Sequence, residues 1–150
     1  MIRSLAFILL LIIAVSCKNE KSSETTSPVI ETPNKKTTAN DTLNDLIKVT
    51  NPAEDQLITS PLEITGEARG YWFFEATAPV ELLNGNMDLI IEKYITATGE
   101  WMTEDWVPFS ETINFENPST ETGYLILHKA NASGLEEHAM SDTIPVKFRR

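Results

Sequence analysis

From Leu46 onward, short apolar runs alternate with clusters of turn residues, and within the runs apolar and polar positions tend to alternate two by two. "LIKV" (46–49) leads into the turn-like "TNPAED" (50–55), and "LEITGEA" (62–68) places Leu62, Ile64 and Gly66 on one face. Such a period-two pattern belongs to strands with one buried face, because successive strand side chains point to opposite sides. "GYWFFEATAPVELL" (70–83) carries aromatics at both parities and predicts a central strand covered on both sides. "NGN" (84–86) predicts a tight type I′ hairpin, since Asn-Gly tolerates positive φ. Further strands are expected in "MDLIIEKYITA" (87–97), "WVPFSETINF" (106–115), "GYLILHKA" (123–130) and "DTIPVKF" (142–148). Sustained helical periodicity is missing, and "TLNDLI" (42–47) has room for one turn at most. Strands at this spacing predict an all-β fold, an immunoglobulin-like antiparallel β-sandwich of about seven strands spanning 46–150.

The first 45 residues differ in kind. Arg3 is followed by an unbroken apolar run from Leu5 to Val15, then Ser16 and the only cysteine, Cys17. A bilayer-spanning helix needs about 20 apolar residues, so this run has the length of a signal-peptide core. Small residues before a cysteine make 1–16 resemble the leader of a bacterial lipoprotein. In such leaders cleavage precedes the cysteine, whose sulfur and new amine are acylated. Ala14 replaces the usual Leu three positions before the cysteine, a looseness typical of Bacteroidetes-like leaders. The resemblance implies lipidation at Cys17 and a membrane partner through that anchor. No Asp follows Cys17, which favours the outer membrane over inner-membrane retention. Residues 17–45 are Ser, Thr, Asn, Lys, Glu and Pro with few apolar interruptions. Such a stretch buries too little surface to offset the entropy of ordering, so it reads as a disordered tether. Within it "Asp41-Thr42-Leu43" resembles an acceptor pattern for O-glycosylation at Thr42.

Composition narrows the partners. With a formal net charge of -10 and no basic cluster, the chain lacks the Lys and Arg that displace counterions from phosphate backbones. Nucleic acid is excluded as a partner class. One cysteine cannot form an internal disulfide, so Trp72, Trp101 and Trp106 are expected to supply core volume.

Motifs of catalysis are sparse. Glu75 in "WFFEA" stands among large aromatics, where desolvation would suit a general acid or a binding carboxylate. Glu104 and Asp105 are adjacent and would point to opposite faces of a strand, so they read as solvated turn residues. His128 and His138, with Glu136 and Glu137 between them, match no zinc-site spacing. Ser133 and Gly134 lack the surrounding pattern of a nucleophile elbow. No cofactor, no metal and no enzymatic activity are expected. A small hydrolase using Glu75 is the weakest alternative. The aromatics 71–74, 101, 106 and 109 are assigned mainly to the core, leaving a ring such as Tyr71 or Trp101 to stack on a ligand.

"SPLEITGEARGYWFFEATAPVELLNGN", "GEWMTEDWVPFSETINF", "TGYLILHKANASGLEEH" and "IPVKF", in that order, resemble the immunoglobulin-like domain of bacterial spore germination. That family is a small envelope module, often carried on lipoproteins and not confined to spore formers. The family's usual Asn-Pro-Ser-Gly is here Asn131-Ala132-Ser133-Gly134. The resemblance covers about 47–148 and implies an immunoglobulin-like sandwich without catalytic activity. The expected role is recognition of an envelope protein, with Tyr71, Trp72, Glu75, Trp101, Asn131, Ser133 and Gly134 as candidate contacts. Carbohydrate or peptidoglycan binding by exposed aromatics is the alternative.

Overall fold

A computed structural model describes residues 43–148; the leader, Cys17 and Thr42 lie outside the described residues. Among the described residues there are eight strands: β1 (Ile47–Asn51), β2 (Gln56–Ile58), β3 (Leu62–Arg69), β4 (Thr77–Asn84), β5 (Leu89–Ala97), β6 (Trp106–Ile113), β7 (Thr122–His128) and β8 (Ser141–Phe148). Two 3-10 turns, Gly70–Trp72 and Glu136–His138, sit in the connections. The expected turn near the start is also there, closed by Leu46 N–H donating to Leu43 O at 2.8 Å.

The hydrogen-bonded order is β1-β3-β6-β5-β4-β7-β8-β2. β5 pairs with β4 along nearly its whole length but meets β6 at only two positions, Thr96↔Ser110 and Ala97↔Phe109. There the sheet folds over, so that β1, β3 and β6 form one layer against β4, β7 and β8. The first strand divides between the layers. β1 pairs antiparallel with β3, and after the cis Asn51–Pro52 bond the chain crosses so that β2 pairs parallel with β8.

Alternating positions fill the space between the layers. Leu62, Ile64 and Ala68 of β3 and Val107, Phe109 and Ile113 of β6 are buried, facing Val80, Leu82, Leu125, Leu127, Ile144 and Val146. Phe115 and Phe148 meet edge to face with centroids 5.9 Å apart. The Phe148 ring lies over Gly123, where an added Cβ would run into the Leu83 carbonyl and this ring. A bare Cα here is what lets β7 lie that close. No buried residue is polar or charged among the described residues.

Three local expectations change. The stretch 70–83 is not one strand: Gly70–Trp72 is a 3-10 turn, and Phe74 and Thr77 then bond to each other across a two-residue turn at Glu75 and Ala76. Both turn residues have positive φ, 50° and 63°, the conformation of a type I′ turn. The hairpin at 84–88 forms, but by other means. Met87 N–H bonds Asn84 O, Met87 takes the positive φ of 68°, and the Asn84 side chain accepts from Asn86 and Asp88 N–H. This is the three-residue loop of a type I turn plus a left-handed residue, not type I′. The eighth strand, β2, lies just past a stretch read as turn. Three residues are too few to show a period, and the β8 edge alone templates them.

Candidate functional site

Strand directions bring three connections to one end of the sandwich. β3 ends where β6 begins (Arg69↔Trp106), β5 ends where β4 begins (Thr96↔Thr77), and β7 ends where β8 begins (His128↔Ser141). Residues 70–76, 98–105 and 129–140 therefore share this end, and so does the start of β1 (Ile47↔Ala68). Every candidate contact named from the sequence falls in these three connections, or directly beneath them.

Backbone bonds lock the connections together. Gly70 N–H donates to Asp105 O at 3.1 Å, and Ala130 N–H donates to Trp72 O at 2.9 Å. Gly70 is required at its position, because a Cβ would strike the carbonyl oxygens of Trp101 and Thr103. Arg69 stacks on Trp106 with its guanidinium carbon 4.2 Å from the ring centroid, and its Nε donates to Asp45 O. Lys48 covers the same ring at 3.8 Å. Trp106 thus clamps β1, β3 and β6 instead of facing a ligand.

The candidate residues separate by exposure. Trp72 is 0% exposed, so it is core and not a contact. Its indole N–H has no acceptor among the described residues. Phe73 and Phe109 are likewise buried and meet edge to face at 6.4 Å. Tyr71 is 48% exposed, and the Lys129 ammonium lies 5.9 Å from its ring. Trp101 is half-buried against the core. Glu75 is exposed at the tip of its turn, so the desolvation expected from its aromatic neighbours in sequence does not occur. Its carboxylate makes no hydrogen bond or ion pair with the described residues.

Asn131, Ser133 and Gly134 brace their own loop. Asn131 Nδ2 donates to Leu135 O at 2.8 Å, Ser133 Oγ donates to Asn131 Oδ1 at 2.7 Å, and Leu135 N–H returns to Ser133 Oγ. Gly134 takes φ 67°, and its N–H donates to Asn131 O at 3.2 Å. His138 Nδ1 lies 3.1 Å from Ser133 Oγ. His138 Nε2 in turn lies 3.8 Å from Glu137 Oε1, so Ser133, His138 and Glu137 stand in line on one exposed loop, with Ser133 Oγ shared between His138, Asn131 Oδ1 and Leu135 N–H. His128 instead pairs with Glu81 across β7 and β4 at 3.2 Å. The two histidines have different partners, and among the described residues no three His, Cys, Asp or Glu side chains converge as a metal site would require.

Phe74, assigned with the other aromatics to the core, is instead 51% exposed, and the sequence did not mark the apolar tips Met102 (74%), Leu135 (51%) and Met140 (37%); all four lie in the same three connections as Tyr71. These connections also carry Glu75, Glu100, Glu104, Asp105, Glu136 and Glu137, with Lys129 as their single Lys or Arg. An open depression of about 340 Å³ between Tyr71 and Trp101 is bordered by Met102, Thr103 and Glu104. Of the nine exposed large apolar side chains among the described residues, these five lie in the three connections, and Leu57, Met87, Leu89 and Tyr94 lie elsewhere.

The sequence pattern of the immunoglobulin-like domain of bacterial spore germination matches residues 46–135. The chain belongs to this family. The match runs through β1–β7 and the loop end as far as Leu135, stopping short of β8. No curated protein and no solved structure matched the chain. Membership agrees with the all-β sandwich and with a non-enzymatic binding module.

Proposed function

We propose that this protein is a lipid-anchored, non-enzymatic module of a bacterial cell envelope that recognises a protein partner through the loop end of its sandwich. The observation that carries the reading is the convergence of Tyr71, Phe74, Met102, Leu135 and Met140, all exposed, on one end. Apolar tips among carboxylates combine area to bury with charge to orient, the usual composition of a protein contact. Acylation of Cys17 would hold the protein at the outer membrane, and two or more acyl chains give stable anchoring where one is marginal. Because β1 starts at the loop end, the chain from Cys17 joins the domain beside the contact loops. β8 ends at the opposite end. The partner is then met on the tethered side of the domain.

A photo-crosslinking residue at Met102 tests this in cells. A protein should be captured from Met102, lost when Phe74 and Leu135 are changed to Ser, and not captured from Met87 at the far end. Equal capture from both ends would refute the reading. A second reading, a glycan or peptidoglycan fragment, is favoured by the depression between Tyr71 and Trp101, since flat rings match sugar faces. Quenching of tryptophan fluorescence by muropeptides, abolished in Tyr71→Ala, would support it over a protein partner.

A further inference from the structure

The turn between Phe74 and Thr77 combines three features that cost the fold stability or solubility. Glu75 and Ala76 both take positive φ, 50° and 63°, although neither is Gly, Asn or Asp, the residues that enter the left-handed region most readily. Asn-Gly would close the same type I′ turn without that cost. Phe74 leaves 51% of its surface exposed. The Glu75 carboxylate is exposed as well and pairs with none of the described residues.

The strained backbone persists because its surroundings hold it. Phe74 N–H donates to Thr77 O at 2.9 Å, Thr77 N–H returns to Phe74 O at 3.0 Å, and Thr77 Oγ1 donates to the same Phe74 carbonyl at 3.2 Å. Ala76 O accepts from Ala97 N–H at 2.9 Å, which fastens the turn to the end of β5. On both sides the chain is rooted in the core, through Phe73 before the turn and Ala78 after it, both buried. Trp72 O accepts from Ala130 N–H, so the turn is flanked by the starts of the 98–105 and 129–140 connections. A sparsely populated conformation that its surroundings over-determine is how a binding contact is fixed in advance. Phe74 and Glu75 are thereby presented in one geometry, with little left to order on binding. The charge nearby sets the sign of what they meet. The flanking connections carry Glu100, Glu104, Asp105, Glu136 and Glu137, with Lys129 as their single Lys or Arg, and the complement of such a surface is basic.

We propose that the Phe74–Glu75 turn selects the partner: it fits a protein surface on which an apolar recess takes the Phe74 ring and a Lys or Arg at its border meets the Glu75 carboxylate. The inference rests on the reading of the loop end as a protein-recognition surface and deepens it, by naming the residues that decide specificity and the chemistry they meet.

The test is photo-crosslinking from Met102 in cells with the full chain, comparing turn variants whose stability is followed by thermal melts of the purified protein. Glu75→Gln keeps the shape of the side chain and the turn. It should lower the captured yield about tenfold, as loss of one charge pair at an interface does, with the melting temperature unchanged. Glu75→Asn combined with Ala76→Gly supplies the pair that a type I′ turn prefers. This double variant should raise the melting temperature by roughly 4 °C or more and still lose capture, an opposition that a purely structural role would not produce. Ala76→Gly alone should raise the melting temperature and keep capture, since Phe74 and Glu75 remain in place. Full capture by the Glu75→Gln chain, or a lower melting temperature in the double variant, would overturn the inference. Capture that is lost when Phe74 and Leu135 become Ser, but unmoved by either Glu75 variant, would leave the recognition reading standing and remove this one alone. No capture from Met102, or equal capture from Met87, would remove both.

Discussion

Replacing Trp72 by alanine removes the largest fully buried side chain of the described residues. Its main-chain carbonyl still accepts from Ala130 N–H, so the loss is of side-chain packing. Buried Trp→Ala changes cost about 3–5 kcal/mol through lost transfer energy and the cavity left behind. A correction applies here, because the indole N–H is buried without an acceptor, and such a group costs roughly 1–3 kcal/mol in the native state. Removing it offsets part of the cavity term, which places Trp72→Ala near the lower bound, about 3 kcal/mol. Trp72→Phe separates the two contributions. It keeps one ring in the core and deletes the unpaired donor, so it should lie within about 1 kcal/mol of wild type. Urea denaturation followed by far-ultraviolet circular dichroism measures both, with unchanged slope as the check that the end states are the same. Trp72→Ala should also lower the melting temperature by more than about 10 °C. If Trp72→Phe costs as much as Trp72→Ala, the indole N–H is satisfied and the reasoning fails. A cost below about 1 kcal/mol for Trp72→Ala would refute the placement of Trp72 in the core.

Cys17→Ser should abolish labelling by a radioactive fatty acid and release the protein from membranes or leave the precursor uncleaved; equal labelling of mutant and wild type would refute lipidation. Asp142 is raised by burial, so between its unfolded and folded pKa values the native state binds more protons, and folding stability falls as pH rises through that window. Asp142→Asn should therefore be the more stable protein at neutral pH, with the difference shrinking below the usual carboxylate range, as read from urea midpoints at the two pH values. Gly123→Ala places a methyl against the Leu83 carbonyl and the Phe148 ring, and should destabilise by about 3 kcal/mol or prevent folding, whereas the same change at Gly99, which meets nothing, should be nearly neutral in a thermal melt.

Burial alternation was visible in the sequence wherever a strand is long and has one face inward. β3, β6, β7 and β8 follow from Leu62, Ile64 and Ala68 or from Leu125 and Leu127 without any knowledge of partners, because side-chain direction in a strand is a local property. The family resemblance likewise rested on contiguous motifs. Other features depended on contacts distant in sequence. Trp72 and Tyr71 are neighbours of identical hydrophobic promise, yet one is 0% and the other 48% exposed. A 3-10 turn rotates them apart, and it sits where it does because Gly70 fits beneath the Trp101 and Thr103 carbonyls. Glu75 is surrounded by aromatics in the sequence and by solvent in the fold, since Phe74 and Thr77 close a turn that lifts it out. The convergence of three connections on one end comes from strand order, which no single segment encodes. Local chemistry determined which residues form strands; long-range pairing decided which of them meet solvent and which meet each other.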